Sequence, residues 1–235
     1  MQSNIFRACR AALLGLLSPP RCAACDSALA RRALLCEGCD DRGSPVVDEL
    51  TDGVLVVASS VYGGGTARAL TRFKYGARPD LAEPLAARLF NALSTANVRG
   101  PSLFVPVPLH PHKLARRGYN QSALVAARLA RMFGWEASPR ALARTRDTVE
   151  QASLSRTERL TNVAAAFTAR VAVPHARVIL VDDVVTTGAT ALACVHALAA
   201  AGAVHVTIAA VARATTDGIL APSGVSGAPS GRRDA

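Results

Sequence analysis

The chain has 235 residues, of which 50% are apolar and 19% are charged. This composition supplies a hydrophobic core and excludes a wholly disordered chain, and the length fits one domain with an appendage or two small domains. The 27 basic residues exceed the 17 acidic ones, which gives a formal net charge of +10. Such an excess indicates polyanionic partners, phosphates or nucleic acid, or else generic surface charge.

Two apolar stretches need to be distinguished from targeting or membrane segments. Residues 5–17 repeat apolar side chains at helical spacing with Arg7 and Arg10 off that face. This pattern favours an amphipathic helix over a targeting peptide. Residues 184–212 carry no Asp, Glu, Lys or Arg, but Thr, His and Gly202 interrupt them. A buried helix followed by a buried strand explains that stretch better than a membrane span does. We therefore expect a cytoplasmic protein with no membrane span.

Four of the six cysteines form two Cys-x-x-Cys pairs, Cys22 with Cys25 and Cys36 with Cys39. Two such turns can complete a tetrahedral four-cysteine zinc site. The alternative is disulfides or redox-active thiols, which a chain without an export signal disfavours. We predict one structural Zn²⁺ in a zinc-ribbon-like segment, whose folding depends on the metal.

Strand and helix patterns alternate along the rest of the chain and predict an α/β domain with a mainly parallel sheet. The predicted strands are 54–62, 103–107, 178–181 and 204–211, and the predicted helices are 66–75, 81–96, 120–133 and 189–201. A glycine turn is expected at 63–65 and a polar, basic loop from 109 to 118. The predicted organisation is a helix and zinc segment at 1–45, the α/β domain at 46–220 and a disordered tail at 221–235.

The most informative segment is 178–190, in which an apolar strand leads into Asp182 and Asp183 and then into a loop rich in Thr and Gly before a helix. Ligands of open α/β sheets bind at the carboxyl ends of strands. Backbone N–H groups, Thr hydroxyls and the helix N-terminus can hold a phosphate there. The two carboxylates indicate that the ligand also carries hydroxyls or a metal, as a ribose 5-phosphate does. The alternative is a buried strand with an Asp cap and a Thr-rich helical turn.

Residues 178–190 resemble the phosphoribosyl pyrophosphate (PRPP) signature of type I phosphoribosyltransferases. Residues 105–121 and 72–76, together with the four-cysteine segment, resemble the ComF family, which is the competence-associated branch of that superfamily. The resemblance runs from about residue 5 to Arg213. It implies the type I phosphoribosyltransferase fold, which is a mainly parallel sheet flanked by helices.

The resemblance also implies roles for individual residues. Asp182 and Asp183 would hold the ribose hydroxyls of PRPP, with Mg²⁺ bridging to the pyrophosphate. Residues 144–167 match a mobile loop that closes over substrate, and Arg144 and Arg146 join the carboxylates as catalytic candidates. His110 and His112 either contact pyrophosphate or are solvated loop residues. The 5-phosphate loop comprises Val184, Val185, Thr186, Thr187, Gly188, Ala189 and Thr190; the pyrophosphate candidates are Lys113, Arg116 and Arg117; the acceptor-site (hood) candidates are Lys74 and Tyr75.

Three functions fit this sequence. The favoured one is a phosphoribosyltransferase that displaces pyrophosphate from PRPP with an unknown acceptor, in association with DNA uptake and natural transformation. The alternative is a non-catalytic accessory protein that binds single-stranded DNA or a DNA-processing helicase. A third is a PRPP or nucleotide sensor without turnover. Whether the chain is an enzyme stays open at this stage, because fold alone does not decide function.

Overall fold

A five-stranded sheet lies at the centre of the computed structural model, which describes residues 20–30, 33–40, 44–50, 53–98, 100–145, 166–173 and 177–214. Its strands are β1 Val46–Leu50, β2 Val54–Ala58, β3 Leu103–Pro106, β6 Arg177–Val185 and β7 His205–Arg213. The strand order is β1-β2-β7-β6-β3, and every neighbouring pair is parallel except β1 and β2. The predicted α/β class with a mainly parallel sheet is therefore confirmed.

Helices cover both faces of this sheet. They are α1 Gly64–Tyr75, α2 Ala82–Thr95, α3 Pro111–Arg117, α4 Gln121–Phe133 and α5 Ala189–Ala200, with a 3-10 turn at Pro79–Leu81. Side chains of β6 alternate between the two layers, as the pleat of a strand requires. Ile179 and Val181 belong to the core cluster that contains α1, α2 and α4, whereas Val178 and Leu180 belong to the cluster that contains α5.

A second, two-stranded sheet joins the ends of the segment that was predicted to be a mobile loop. Its antiparallel strands are β4 Leu142–Arg144 and β5 Phe167–Ala169, and Arg144 pairs with Phe167. The two ends of that segment therefore lie side by side. Residues 146–165, including the candidate Arg146, lie outside the described residues, as do the predicted N-terminal helix and tail.

Three local predictions were wrong. Residues 109–118 are not all loop, because α3 forms there, with His110 as its N-cap, Pro111 in its first turn and Gly118 left-handed after its end. These residues begin and end a helix, since proline suits a first turn and glycine adopts positive φ at a C-terminus. Strand β6 also runs past Val181, since it pairs with β7 as far as Val185 and Arg213, so Asp182 and Asp183 lie within the strand. The predicted turn at 63–65 is the start of α1.

Among the described helices, none combines the length and the apolar character that crossing a bilayer requires.

Candidate functional site

An open cavity of about 220 Å³ lies where β6 ends and α5 begins. The end of α1, the segment after β3, helix α3 and the end of β4 supply its other walls. Four basic side chains and two carboxylates therefore face one space, and the cavity also includes the whole predicted phosphate loop. Its charged lining residues are Lys74, Lys113, Arg117, Arg144, Asp182 and Asp183.

The two adjacent carboxylates have different surroundings. Asp182 Oδ1 accepts hydrogen bonds from the Ser122 hydroxyl at 3.2 Å and from the Asp183 backbone N–H at 2.8 Å. Burial raises the pKa of Asp182 to about 7, and the charge of Asp183 adds to the effect. Asp183 instead forms an ion pair with Lys74, whose Nζ lies 2.7 Å from its Oδ1. The site thus combines one carboxylate in an ion pair with one whose pKa is raised by burial.

The loop that was predicted to bind phosphate leads into α5 through a left-handed glycine. Thr186 and Thr187 are exposed to the cavity, and Gly188 begins α5 with a φ of +84°. A side chain on Gly188 would be strained by that φ, and its Cβ would also lie 2.6 Å from Leu50 Cδ1. The 12-residue helix α5 directs its N-terminal N–H groups and positive dipole towards the same cavity.

Helix α3 supplies two of the three cations that were predicted to hold pyrophosphate. Lys113 and Arg117 line the cavity, whereas Arg116 is exposed and is not among the lining residues. Arg117 donates to Gln121 Oε1 at 2.6 Å, and its guanidinium lies 5.1 Å from the centre of the Tyr75 ring. Tyr75 is 69% exposed at the mouth of the cavity. Arg117 is therefore held in place, and Lys113 remains solvated.

The residues after α3 form hydrogen bonds to two walls of the cavity, the end of α1 and the segment after β3. The Tyr119 hydroxyl donates to the Phe73 carbonyl at 2.5 Å, and Gln121 Nε2 approaches the same oxygen at 3.4 Å. Asn120 caps α4 and donates to the Val107 carbonyl at 3.0 Å. These contacts fix the end of α1, and with it Lys74, against the start of α4. The sequence analysis considered only the basic residues of this region, and it did not predict the structural role of Tyr119, Asn120 and Gln121.

Two further features bear on the predicted site. Arg144 lines the cavity, and its guanidinium lies 5.4 Å from the centre of the Phe167 ring. One end of the β4–β5 sheet therefore lies beside the cavity. Ser122 was not predicted, because the contact that gives it a role joins residues 60 positions apart.

The four predicted cysteine ligands come together in one cluster. Their sulfur atoms all lie within 4.8 Å of one another, and Cys25 Sγ and Cys36 Sγ are 3.7 Å apart. Zn–S bonds of about 2.3 Å place the sulfurs of a tetrahedral site about 3.8 Å apart, so these residues fit a four-thiolate metal site. The Cys36 backbone N–H lies 3.3 Å from Cys22 Sγ and can donate to it.

This cysteine cluster packs directly on α1. A Cβ on Gly65 would lie 2.0 Å from the Cys39 carbonyl oxygen, so only glycine allows the helix to approach so closely. Arg68 lies 3.6 Å from Cys39 Sγ, and Arg72 pairs with Asp26 at 2.6 Å. The cysteine segment therefore packs along α1 from Gly65 to Arg72, and the last two residues of the same helix, Lys74 and Tyr75, line the cavity.

Comparison with known proteins gives relatives along most of the chain, although no family model matches it. Competence protein F of Haemophilus influenzae is 34% identical over 128 residues, which are 52% of this chain and 56% of that protein. DNA utilization protein YhgH of Escherichia coli is 35% identical over 123 residues, 51% of this chain and 54% of that protein. These alignments cover about half the length of either relative.

A longer alignment joins this chain to DNA utilization protein YhgH of Salmonella typhi, at 30% identity over 180 residues. It covers 72% of this chain and 79% of that protein. Among solved structures, the allosteric regulatory enzyme of purine biosynthesis is similar at a TM-score of 0.41 and 21% identity, over 60% of this chain and 30% of that enzyme. The alignment to the Salmonella typhi protein shows that the chain belongs to the ComF family, which includes competence protein F and DNA utilization protein YhgH.

Proposed function

We propose that the cavity binds PRPP, which carries a ribose, a 5-phosphate and a diphosphate on the anomeric carbon. The observation that supports this most strongly is the combination of a carboxylate pair, a phosphate loop and a separate group of cations in one cavity. A site for phosphate alone would not need Asp182 and Asp183. A site for a simple sugar would not need Lys113 and Arg117.

Each part of PRPP has a chemically matched part of the cavity. The 5-phosphate lies at Thr186, Thr187 and the N-terminus of α5, where N–H and O–H groups donate. The ribose hydroxyls donate to Asp182 and Asp183. The diphosphate lies towards Lys113 and Arg117, and an arginine fork suits its oxygens. Mg²⁺, which prefers oxygen ligands, would be held between the carboxylates and the diphosphate and would neutralise diphosphate charge.

Phosphoribosyl transfer is the reaction that this arrangement favours. A nucleophile forms a bond to the anomeric carbon as the bond to the diphosphate oxygen breaks, and pyrophosphate leaves with the electron pair. The cations of the cavity stabilise the charge that develops on the leaving group, and the carboxylates fix the ribose. Lys74 pairs with one oxygen of Asp183, and a carboxylate has further acceptor sites for a ribose hydroxyl. Lys74 and Tyr75 are the residues assigned to the acceptor side.

Calorimetric titration with PRPP and Mg²⁺ tests the proposal. The wild type should show saturable binding. Asp183→Asn should weaken it about tenfold, since a charge-assisted hydrogen bond becomes a neutral one. Asp80→Asn serves as the matched control, because Asp80 pairs with Arg78 outside the cavity. Absence of saturable binding by the wild type, or equal affinity in Asp183→Asn, would contradict the proposal.

A role with DNA is the second candidate, and the printed names of the relatives, competence and DNA utilization, favour it. The exposed basic side of α3, including His112, Lys113 and Arg116, offers a surface for a phosphate backbone. Binding of a labelled single-stranded oligonucleotide should weaken steeply as salt rises, and Arg116→Gln should reduce that slope. A salt-independent affinity would exclude phosphate contacts of this kind. A helicase partner remains part of this second candidate.

We also propose Zn²⁺ as the metal of the cysteine cluster. Four thiolates are the ligand set of a closed structural zinc site and leave no open position for substrate. The buried residues of this short segment, Cys22, Ala23, Leu34 and Leu35, pack into the core cluster that contains α1. Metal binding would therefore stabilise the segment and its contact with the helix together.

A further inference from the structure

Arg213, the last residue of β7, lies behind the phosphate loop and not in the cavity. Its Nη1 donates to the carbonyl oxygens of Val185, at 3.3 Å, and of Thr186. The Ala214 backbone N–H donates to the same Val185 carbonyl at 2.9 Å. The side chain of Arg213 is only 13% exposed. One guanidinium thus binds two consecutive peptide carbonyls of the loop that the proposed function assigns to the 5-phosphate.

These contacts determine the direction of the loop's N–H groups. In a trans peptide the C=O and the N–H of the same unit point in opposite directions. When the Val185 and Thr186 carbonyls point at Arg213, the N–H groups of Thr186 and Thr187 point away from it. Both threonines line the cavity and Arg213 does not, so N–H groups that point away from Arg213 point to the cavity side of the loop. A loop with inverted peptides would present carbonyl oxygens there and repel a phosphate.

Strand β1 holds Arg213 in this position. Arg213 Nε donates to Asp48 Oδ2 at 2.9 Å, and this hydrogen bond lowers the pKa of Asp48. Two residues on, Leu50 covers Gly188, where its Cδ1 occupies the space that a Cβ would need. The antiparallel edge strand therefore contacts both the arginine and the glycine of the loop. This gives β1 a function at the site, although none of its residues lines the cavity.

We propose that Arg213 and Asp48 are positioning residues, which orient the Thr186 and Thr187 N–H groups for the 5-phosphate of the ligand. This proposal rests on the proposed function and deepens it. It predicts a selective defect, because Arg213 acts on the phosphate loop and has no contact with Lys113 or Arg117. Neither residue was a site candidate in the sequence, where Arg213 marked only the end of the resemblance.

The test compares ribose 5-phosphate and inorganic pyrophosphate as separate probes in calorimetry. Arg213→Met and Asp48→Asn should each weaken ribose 5-phosphate binding about tenfold and leave pyrophosphate affinity within about twofold. Arg213→Lys keeps the positive charge but loses the planar guanidinium, which donates to several acceptors at once. Its affinity for ribose 5-phosphate should therefore lie between those of Arg213→Met and the wild type. Arg128→Met is the matched control, since it removes an ion pair to Glu83 (2.7 Å) far from the cavity.

Amide spectra give a readout that does not depend on a ligand. Arg213→Met should shift the Thr186 and Thr187 amide resonances, and Arg128→Met should not. Unchanged ribose 5-phosphate affinity in folded Arg213→Met and Asp48→Asn, or an equal loss for both probes, would overturn the positioning role. If Arg213→Met fails to fold, Asp48→Asn and Arg213→Lys still decide the outcome. Failure of the wild type to bind ribose 5-phosphate would instead overturn the proposed function. Unshifted Thr186 and Thr187 amide resonances in Arg213→Met would contradict the contact of Arg213 with the loop carbonyls.

Discussion

Asp182 and Asp183 show how neighbouring residues acquire different properties from their surroundings. They are adjacent in β6, but their carboxylates lie against different side chains. Asp183 meets Lys74, while Asp182 meets Ser122 and a more buried environment. Burial therefore raises the pKa of Asp182, while Asp183 lies in an ion pair with Lys74.

The raised pKa of Asp182 predicts a specific pH dependence of stability. Between an ordinary value of 3.8 and about 7, the folded protein binds a proton at Asp182 that the unfolded chain releases. The contribution of Asp182 to the free energy of unfolding therefore falls as the pH rises through that window, and it is constant above it. Urea unfolding at about pH 5 and about pH 8 measures this change, which Asp182→Asn should remove.

Asp80→Asn is again the control, because Arg78 lowers the pKa of Asp80 and its titration lies below this window. An equal pH dependence in the wild type and in Asp182→Asn would show that Asp182 does not titrate near neutral pH.

At the scale of elements, the strongly periodic segments were predictable. Helices α1, α2, α4 and α5 and strands β3 and β7 were all placed by their apolar patterns with small differences at their ends. The missed elements, β1, β4, β5 and α3, are short and owe their formation to tertiary pairing or to caps. Strand β4, for example, has three residues and forms by pairing with β5, 23 positions further along the chain.

The same distinction applies to the candidate site. Asp182, Asp183, the threonine loop and the four cysteines were found because their chemistry is local in sequence. Ser122, Gly65 and Arg213 were missed because each acts through a long-range contact, with Asp182, Cys39 and the loop carbonyls respectively. A local pattern in a single sequence does not show which distant residues come into contact.

The close contact between α1 and the cysteine cluster predicts that one substitution lowers the free energy of unfolding strongly. Gly65→Ala places a Cβ about 2.0 Å from the Cys39 carbonyl oxygen, and neither backbone can move freely. We expect a loss of about 1–3 kcal/mol in the free energy of unfolding, as in other overpacked contacts. Gly63→Ala is the matched control, because no atom lies within 4 Å of its Cβ position. Equal stability of the two variants in urea unfolding would contradict this close contact.

At the scale of the whole molecule, α1 connects the cysteine cluster with the cavity. Gly65 and Arg68 contact Cys39 near its N-terminus, and Lys74 contacts Asp183 at its other end. A change at the cysteine cluster is therefore positioned to disturb the cavity, because one helix contacts both.

Metal removal tests this connection. The purified protein should release one Zn²⁺ per chain on denaturation. A chelator should then increase hydrogen exchange first at residues 20–40 and in α1, because thiolates without a metal repel one another. Exchange in β6 and β7 should change little in the same experiment. Release of no zinc, or an equal increase across the central sheet, would contradict this account of the segment.

The central claim is that one cavity holds both ends of PRPP, and phosphorus-31 NMR tests it most directly. Addition of the protein with Mg²⁺ should shift or broaden both the 5-phosphate and the diphosphate resonances. Lys113→Gln combined with Arg117→Gln should weaken the diphosphate effect, and Thr187→Ala should weaken the 5-phosphate effect. Unchanged resonances at protein concentrations near that of the ligand would contradict the claim and leave the DNA role as the first candidate.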